Sequence, residues 1–147
     1  MKTLVIAIIT LLSITTDRCS NADKKMAQNM AVEYDIFTRG SFDKTILKKD
    51  SVVIIDKISD NQVQSYALSD QEWKDVIAEV KKIDRNKLKE YKAPTNNRYT
   101  DGTKAAQLRV IYQDQVYQTD QFDRGNPPSE LKSLVDKVDN IYKKYKK

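Results

Sequence analysis

Leu68-Ser69-Asp70-Gln71-Glu72-Trp73-Lys74-Asp75-Val76-Ile77-Ala78-Glu79-Val80-Lys81-Lys82-Ile83 is where the chain changes its period. Ser69 and Glu72 stand at the spacing of a capping box, in which the hydroxyl and the carboxylate each satisfy a backbone N–H at a helix start. Trp73, Val76, Ile77, Val80 and Ile83 then fall on one stripe of that helix. A helix with one apolar stripe must cover another apolar surface. The segments before it alternate at a period of two, so the surface it covers is a sheet.

Upstream, Val32, Tyr34 and Ile36 alternate with Glu33 and Asp35, the pattern of a strand with one buried and one wet face. Arg39-Gly40-Ser41 breaks it. A weaker strand at Lys44 to Lys48 turns at Lys49-Asp50 into Ser51 to Ile58. Its Val52-Val53-Ile54-Ile55 run is β-branched and apolar on both faces, which predicts the best-buried strand. Asp60-Asn61 is a turn pair, and Gln62 to Leu68 continues the meander with Val63, and Tyr66 as a second choice, facing inward.

Downstream, the helix is expected to end between Asp84 and Lys89. Tyr91 to Thr103 follows as a polar loop holding Pro94, Asn96-Asn97 and Asp101-Gly102, longer than most connections and of the kind that is functional or mobile. Ala106, Leu108, Val110 and Tyr112 alternate inward, Gln113-Asp114 turns, and Gln115 to Phe122 returns with Val116 and Phe122 on one face. Gly125 supplies an unusual φ, and Asn126 before Pro127 suits an N-cap. The last helix carries Leu131, Leu134, Val135, Val138, Ile141, Tyr142 and Tyr145 on one side. Its apolar ladder repeats that of Trp73 to Ile83 at a constant offset of 58 residues. This is the trace of a duplicated strand-strand-helix unit or simply the spacing any amphipathic helix adopts. The fold class is α+β: an antiparallel β-sheet (β-meander, helix, β-hairpin, helix) with two amphipathic helices on one face.

The first 22 residues carry an address. Lys2 precedes an apolar run from Leu4 to Ile14, followed by the polar Thr15 to Ala22, the order of a secretory signal. The run is shorter than the roughly 20 residues of a spanning helix. Ser20 and Ala22 place small side chains where a signal peptidase needs them, favouring cleavage before Asp23. Cys19, the sole cysteine, stands where a lipoprotein carries its acylated thiol, although Thr16-Asp17-Arg18 is an unusual lead-in to such a site. The expected organisation is a signal peptide at 1–22, a flexible lead-in or one helical turn at 23–31, and a single domain at 32–147. About 125 residues follow Ala22, enough for one core. Cleavage before Asp23 leaves no thiol, so the fold cannot depend on a disulfide.

Histidine is absent, which removes Ser-His-Asp and Cys-His catalysis, imidazole proton shuttling and the usual zinc sites. No cofactor is expected. Asp114, Asp120 and Asp123 come nearest to a metal cluster but lack an ordered ligand loop, and read as the polar side of a strand and its exit turn. The net charge of +5 is spread along the chain, with Lys and Asp interleaved, unlike the concentrated basic face of a nucleic-acid binder.

Taken together, the meander, Leu68 to Trp73 opening a helix, the Tyr99-Thr100-Asp101-Gly102 turn, the hairpin and Gly125 to Leu131 opening the last helix resemble small exported proteins and lipoproteins of Gram-negative bacteria that carry a domain of unknown function. The resemblance spans roughly residues 32 to 142. It implies export to the periplasm or medium, or an outer-membrane lipoprotein, and no catalytic residues. The favoured function is a non-catalytic envelope module. It would bind a protein, peptide or glycan through the open sheet face or the Tyr91 to Thr103 loop. Tyrosine supplies eight of the aromatic residues. Tyr91, Tyr99, Tyr112 and Tyr117 are candidate anchors, although each also suits ordinary packing. The alternatives are an enzyme built on carboxylates and Arg124, or association with anionic lipid through Lys143, Lys144, Lys146 and Lys147.

Overall fold

The computed structural model describes residues 21–56, 62–100 and 102–146. Residues 1–20 of the leader with Cys19, the Asp60-Asn61 turn, Ile58, Asp101 and Lys147 lie outside the described residues. Seven strands form one antiparallel sheet: β1 Met30–Phe37, β2 Phe42–Lys48, β3 Ser51–Asp56, β4 Gln62–Ala67, β5 Ala105–Tyr112, β6 Gln115–Gln118 and β7 Phe122–Asp123. Their order is β4-β3-β2-β1-β5-β6, with β7 also paired to β5. Helices α1 Asn21–Gln28, α2 Asp70–Lys82 and α3 Lys132–Tyr145 complete the fold.

Register explains the core. Val32 lies opposite Leu47 and Val110, and Leu47 lies opposite Val52. Tyr34 lies opposite Thr45 and Leu108, and Thr45 opposite Ile54. All of these are buried. Onto this face α2 lays Trp73, Val76, Ile77 and Val80, and α3 lays Leu134, Val135, Val138, Ile141 and Tyr142. Each fully buried side chain of this size contributes about 2 kcal/mol relative to exposure.

The N-terminus of α2 is boxed as its sequence dictates. The Ser69 hydroxyl accepts from the Glu72 N–H, and the Glu72 carboxylate accepts from the Ser69 N–H at 3.1 Å. The helix stops at Lys82, before the Asp84 to Lys89 stretch expected to end it, because Asp84 instead caps a separate 3-10 turn at Arg85–Lys87.

Several expectations are corrected. The best-buried strand is β1, not β3: β1 lies in mid-sheet between β2 and β5, whereas β3 sits next to the edge strand β4. Only Val52 and Ile54 of β3 are buried; Val53 and Ile55 face the uncovered side. Val63 pairs with Ile55, so it shares that side and is 64% exposed rather than inward. Val116 pairs with Ile111 and is 57% exposed.

The return strand from Gln115 is also shorter than expected. The buried Thr119 hydroxyl takes the Leu108 N–H at 3.2 Å, which interrupts the ladder, and Phe122 re-enters in β7. Asn126 does not cap α3. It bridges to Asp123, and Pro128 precedes a 3-10 turn at Ser129–Leu131 that leads into α3. The region read as a lead-in holds α1, whose Met26 and Ala27 pack on the core and whose Ala27 carbonyl accepts from Trp73 Nε1 at 3.0 Å.

The hairpin turn at Gln113-Asp114 is as expected, with both residues at positive φ (51° and 63°), the geometry that matches strand twist in a two-residue turn. The two strand-strand-helix units end at opposite edges of the sheet, in β4 and β6.

Candidate functional site

The long loop between α2 and β5 is built around one buried carboxylate. Asp123, the last residue of β7, accepts from the Thr95 hydroxyl and the Asn97 N–H (2.8 Å) at Oδ2. At Oδ1 it accepts from the Arg98 N–H (2.9 Å) and from Arg98 Nη1 (3.2 Å). Burial alone would raise the Asp123 pKa. The donors from Thr95, from the Arg98 and Asn97 backbone and from the Arg98 side chain outweigh it and hold the carboxyl at about 2.

Further bonds tighten the same loop. Arg98 Nη1 donates to the Thr95 carbonyl at 2.8 Å, Asn126 Nδ2 donates to the Thr95 hydroxyl at 2.9 Å, and the Gly102 N–H donates to the Asn97 carbonyl at 3.0 Å. A Cβ at position 102 would meet that carbonyl oxygen at 3.3 Å, so glycine suits the closure. The loop is therefore held in one shape rather than left to its composition.

What it presents is Tyr99, 70% exposed. Its ring lies over the Arg98 guanidinium, 4.4 Å from carbon to centroid, and Arg98 Nη2 donates to its hydroxyl at 3.2 Å. Two adjoining depressions of about 760 and 500 Å³ share Arg98, Tyr99 and Gln121. The larger is lined by Arg39, Arg98 and Lys104 and, among the described residues, by no acid. The smaller holds Tyr91, Lys92 and Asp120. Arg98 has a side chain only 7% exposed, and among the described residues its Nε–H meets no acceptor.

The structure thus brings Tyr91 and Tyr99 together and separates the other candidates. Tyr112 and Tyr117 both lie under Arg85, at 4.7 and 5.7 Å, and fasten the 3-10 turn after α2 to the sheet. Arg124 binds Asp139 at 3.1 Å and covers Tyr142, tying the β7 turn to α3. The terminal lysines are matched by acids of the body: Lys143 with Asp139 at 2.6 Å, Lys144 with Glu72 at 2.7 Å, and Lys146 with Asp43 at 2.6 Å and Asp56 at 3.3 Å. The three aspartates are dispersed as well. Asp114 goes to the β5–β6 turn, Asp120 to the smaller depression and Asp123 to the loop.

On the sheet face away from α2 and α3, Glu33 and Asp35 of β1 meet Lys44 of β2 and Arg109 of β5. Lys44 is 2.9 Å from Glu33, and Arg109 is 3.3 Å from Glu33 and 2.5 Å from Asp35. Asp35 is 3% exposed, with its charge enclosed by the two cations. Sequence reading placed Glu33 and Asp35 on a wet face but missed this row, and it missed Arg98. Alternation along β1 gave the outward direction. The partners on β2 and β5 required the register.

No protein-family model and no curated protein matches this chain.

Proposed function

We propose that this chain is an exported, non-catalytic binding module whose contact surface is the cleft divided by Tyr99. The observation that carries the reading is the Asp123 latch, which fixes a polar loop with four hydrogen bonds and leaves the Tyr99 side chain in solvent. Ordering a loop before binding reduces the entropy lost on association, and exposed tyrosines make rigid anchors. Export is supported by the charged, apolar and polar sequence of residues 1–22. The carboxylate-enzyme alternative has less behind it, since Glu33, Asp35 and Asp123 are each consumed by ion pairs or loop donors.

Replacing Tyr99 by a photo-crosslinking benzoylphenylalanine in the cell of origin tests the reading, with the same probe at Tyr117 as control. Adducts are expected at position 99 and not at 117. Equal labelling at both positions, or none at 99, would refute it.

A further inference from the structure

We propose that the edge strand β4 is a dimerisation seam: two copies of this chain pair antiparallel through Gln62–Ala67, about a two-fold axis at Ser65, and join their sheets into one. This surface is independent of the Tyr99 cleft, which is lined by the ends of β1 and β5 in mid-sheet.

Backbone direction comes first. In an antiparallel ladder both polar groups of a residue point the same way, and the direction alternates along the strand. Just past the paired ends of β3 and β4, the Leu68 N–H donates to the Asp50 carbonyl at 3.2 Å. The even residues of β4 therefore face β3, and Val63, Ser65 and Ala67 direct their N–H and C=O groups at the free edge. The Ala67 carbonyl agrees with this, since it accepts from the Tyr145 hydroxyl at 2.9 Å. Among the described residues β4 has no strand on that side.

Sheet edges are ordinarily blunted by charge, proline or shortness. β4 has none of these: it runs six residues without a charge or a proline, in a chain that is 32% charged. The other edge strand, β6, is four residues long, and the Thr119 hydroxyl ends its ladder by taking the Leu108 N–H. One open edge and one blunted edge give a closed pair and not a filament.

The register follows from the outward groups. Using all three residues sets Ser65 opposite Ser65 of the second copy, Val63 opposite its Ala67 and Gln64 opposite its Tyr66. Opposite residues share a face, so both helix layers fall on one side of the joined sheet. On the uncovered side Val63, 64% exposed, gains a small neighbour and no charge meets a like charge. On the helix side Tyr66 lies 5.1 Å from Tyr145, ring to ring, and donates to Gln64 at 2.7 Å, so two such tyrosine pairs flank the axis. A foreign strand would satisfy the backbone alone. A second copy also continues the helix layer and brings the second tyrosine pair.

A six-residue seam is smaller than a standard interface, so a dissociation constant of about 0.1 mM is expected. Sedimentation equilibrium of the mature protein from about 10 μM to about 1 mM should show monomer giving way to dimer. Ser65→Lys sets two ammonium groups opposite each other and should weaken association at least about fivefold with the melting temperature unchanged, whereas Ser65→Thr should preserve it. In a Cys19→Ser background, Ser65→Cys is expected to form a disulfide-linked dimer on mild oxidation, its Cα atoms lying about 5.5 Å apart. Gln62→Cys, about 20 Å from its copy, is expected to form none. Monomer at about 1 mM would overturn the inference, even if another protein then crosslinked to this edge. Association indifferent to Ser65→Lys, equal trapping at 62 and 65, or mass growing past the dimer would overturn it as well.

Discussion

A carboxylate that accepts four hydrogen bonds in a buried site cannot become its amide without turning an acceptor into a donor. Asp123→Asn is therefore expected to cost about 2–3 kcal/mol in urea unfolding, because a backbone or guanidinium donor loses its partner. Because the folded Asp123 pKa is lowered to about 2 from an ordinary value near 3.8, its contribution is complete above pH 4 and disappears as pH falls toward 2. The wild-type protein should lose stability across that window more steeply than Asp123→Asn; parallel curves would show that Asp123 is not held as described. Ser69→Ala should cost about 1 kcal/mol through the lost cap. The two residues differ in legibility. Ser69 finds its partner three residues on, so the motif is visible in the chain. Asp123 finds its partners 25 to 28 residues away, and a lone aspartate after a strand says nothing of them.

Among the elements, α2 and α3 were readable because helical period is a local property, as is the Ser69 cap of α2, whereas the cap expected for α3 at Asn126 was not found. Strand burial was not, because it depends on position within the sheet. An apolar run in β3 looked central, yet β1, with charged residues at alternate positions, occupies the middle and hides even Asp35 beneath Lys44 and Arg109. Val63 lies on the uncovered face of edge strand β4, whose residues Gln62 to Ala67 carry no charge. Val63→Lys is expected to change stability by less than about 0.5 kcal/mol and to slow aggregation, since a charged edge resists strand addition. Ile54→Ala in the neighbouring strand should cost about 2–4 kcal/mol by opening a cavity in the core. A large loss from Val63→Lys, read in the same urea series, would contradict the register.

At the scale of the molecule, one sheet and its helices share a single core, and α1 joins it through Met26, Ala27 and the Trp73 indole. Both processing sites read in the sequence, at Cys19 and before Asp23, precede Met26, so either product keeps these contacts. Mass spectrometry of the mature N-terminus is expected to show acylated Cys19 or free Asp23; an intact leader in the cytosol would refute export. Binding through Tyr99 requires the loop to be ordered before any ligand arrives. Native-state hydrogen exchange of the Asn97 and Arg98 amides tests that most directly. Both are predicted to exchange as slowly as buried β5 amides and to become fast in Asp123→Asn, whereas exchange at open-loop rates in the wild-type protein would contradict it.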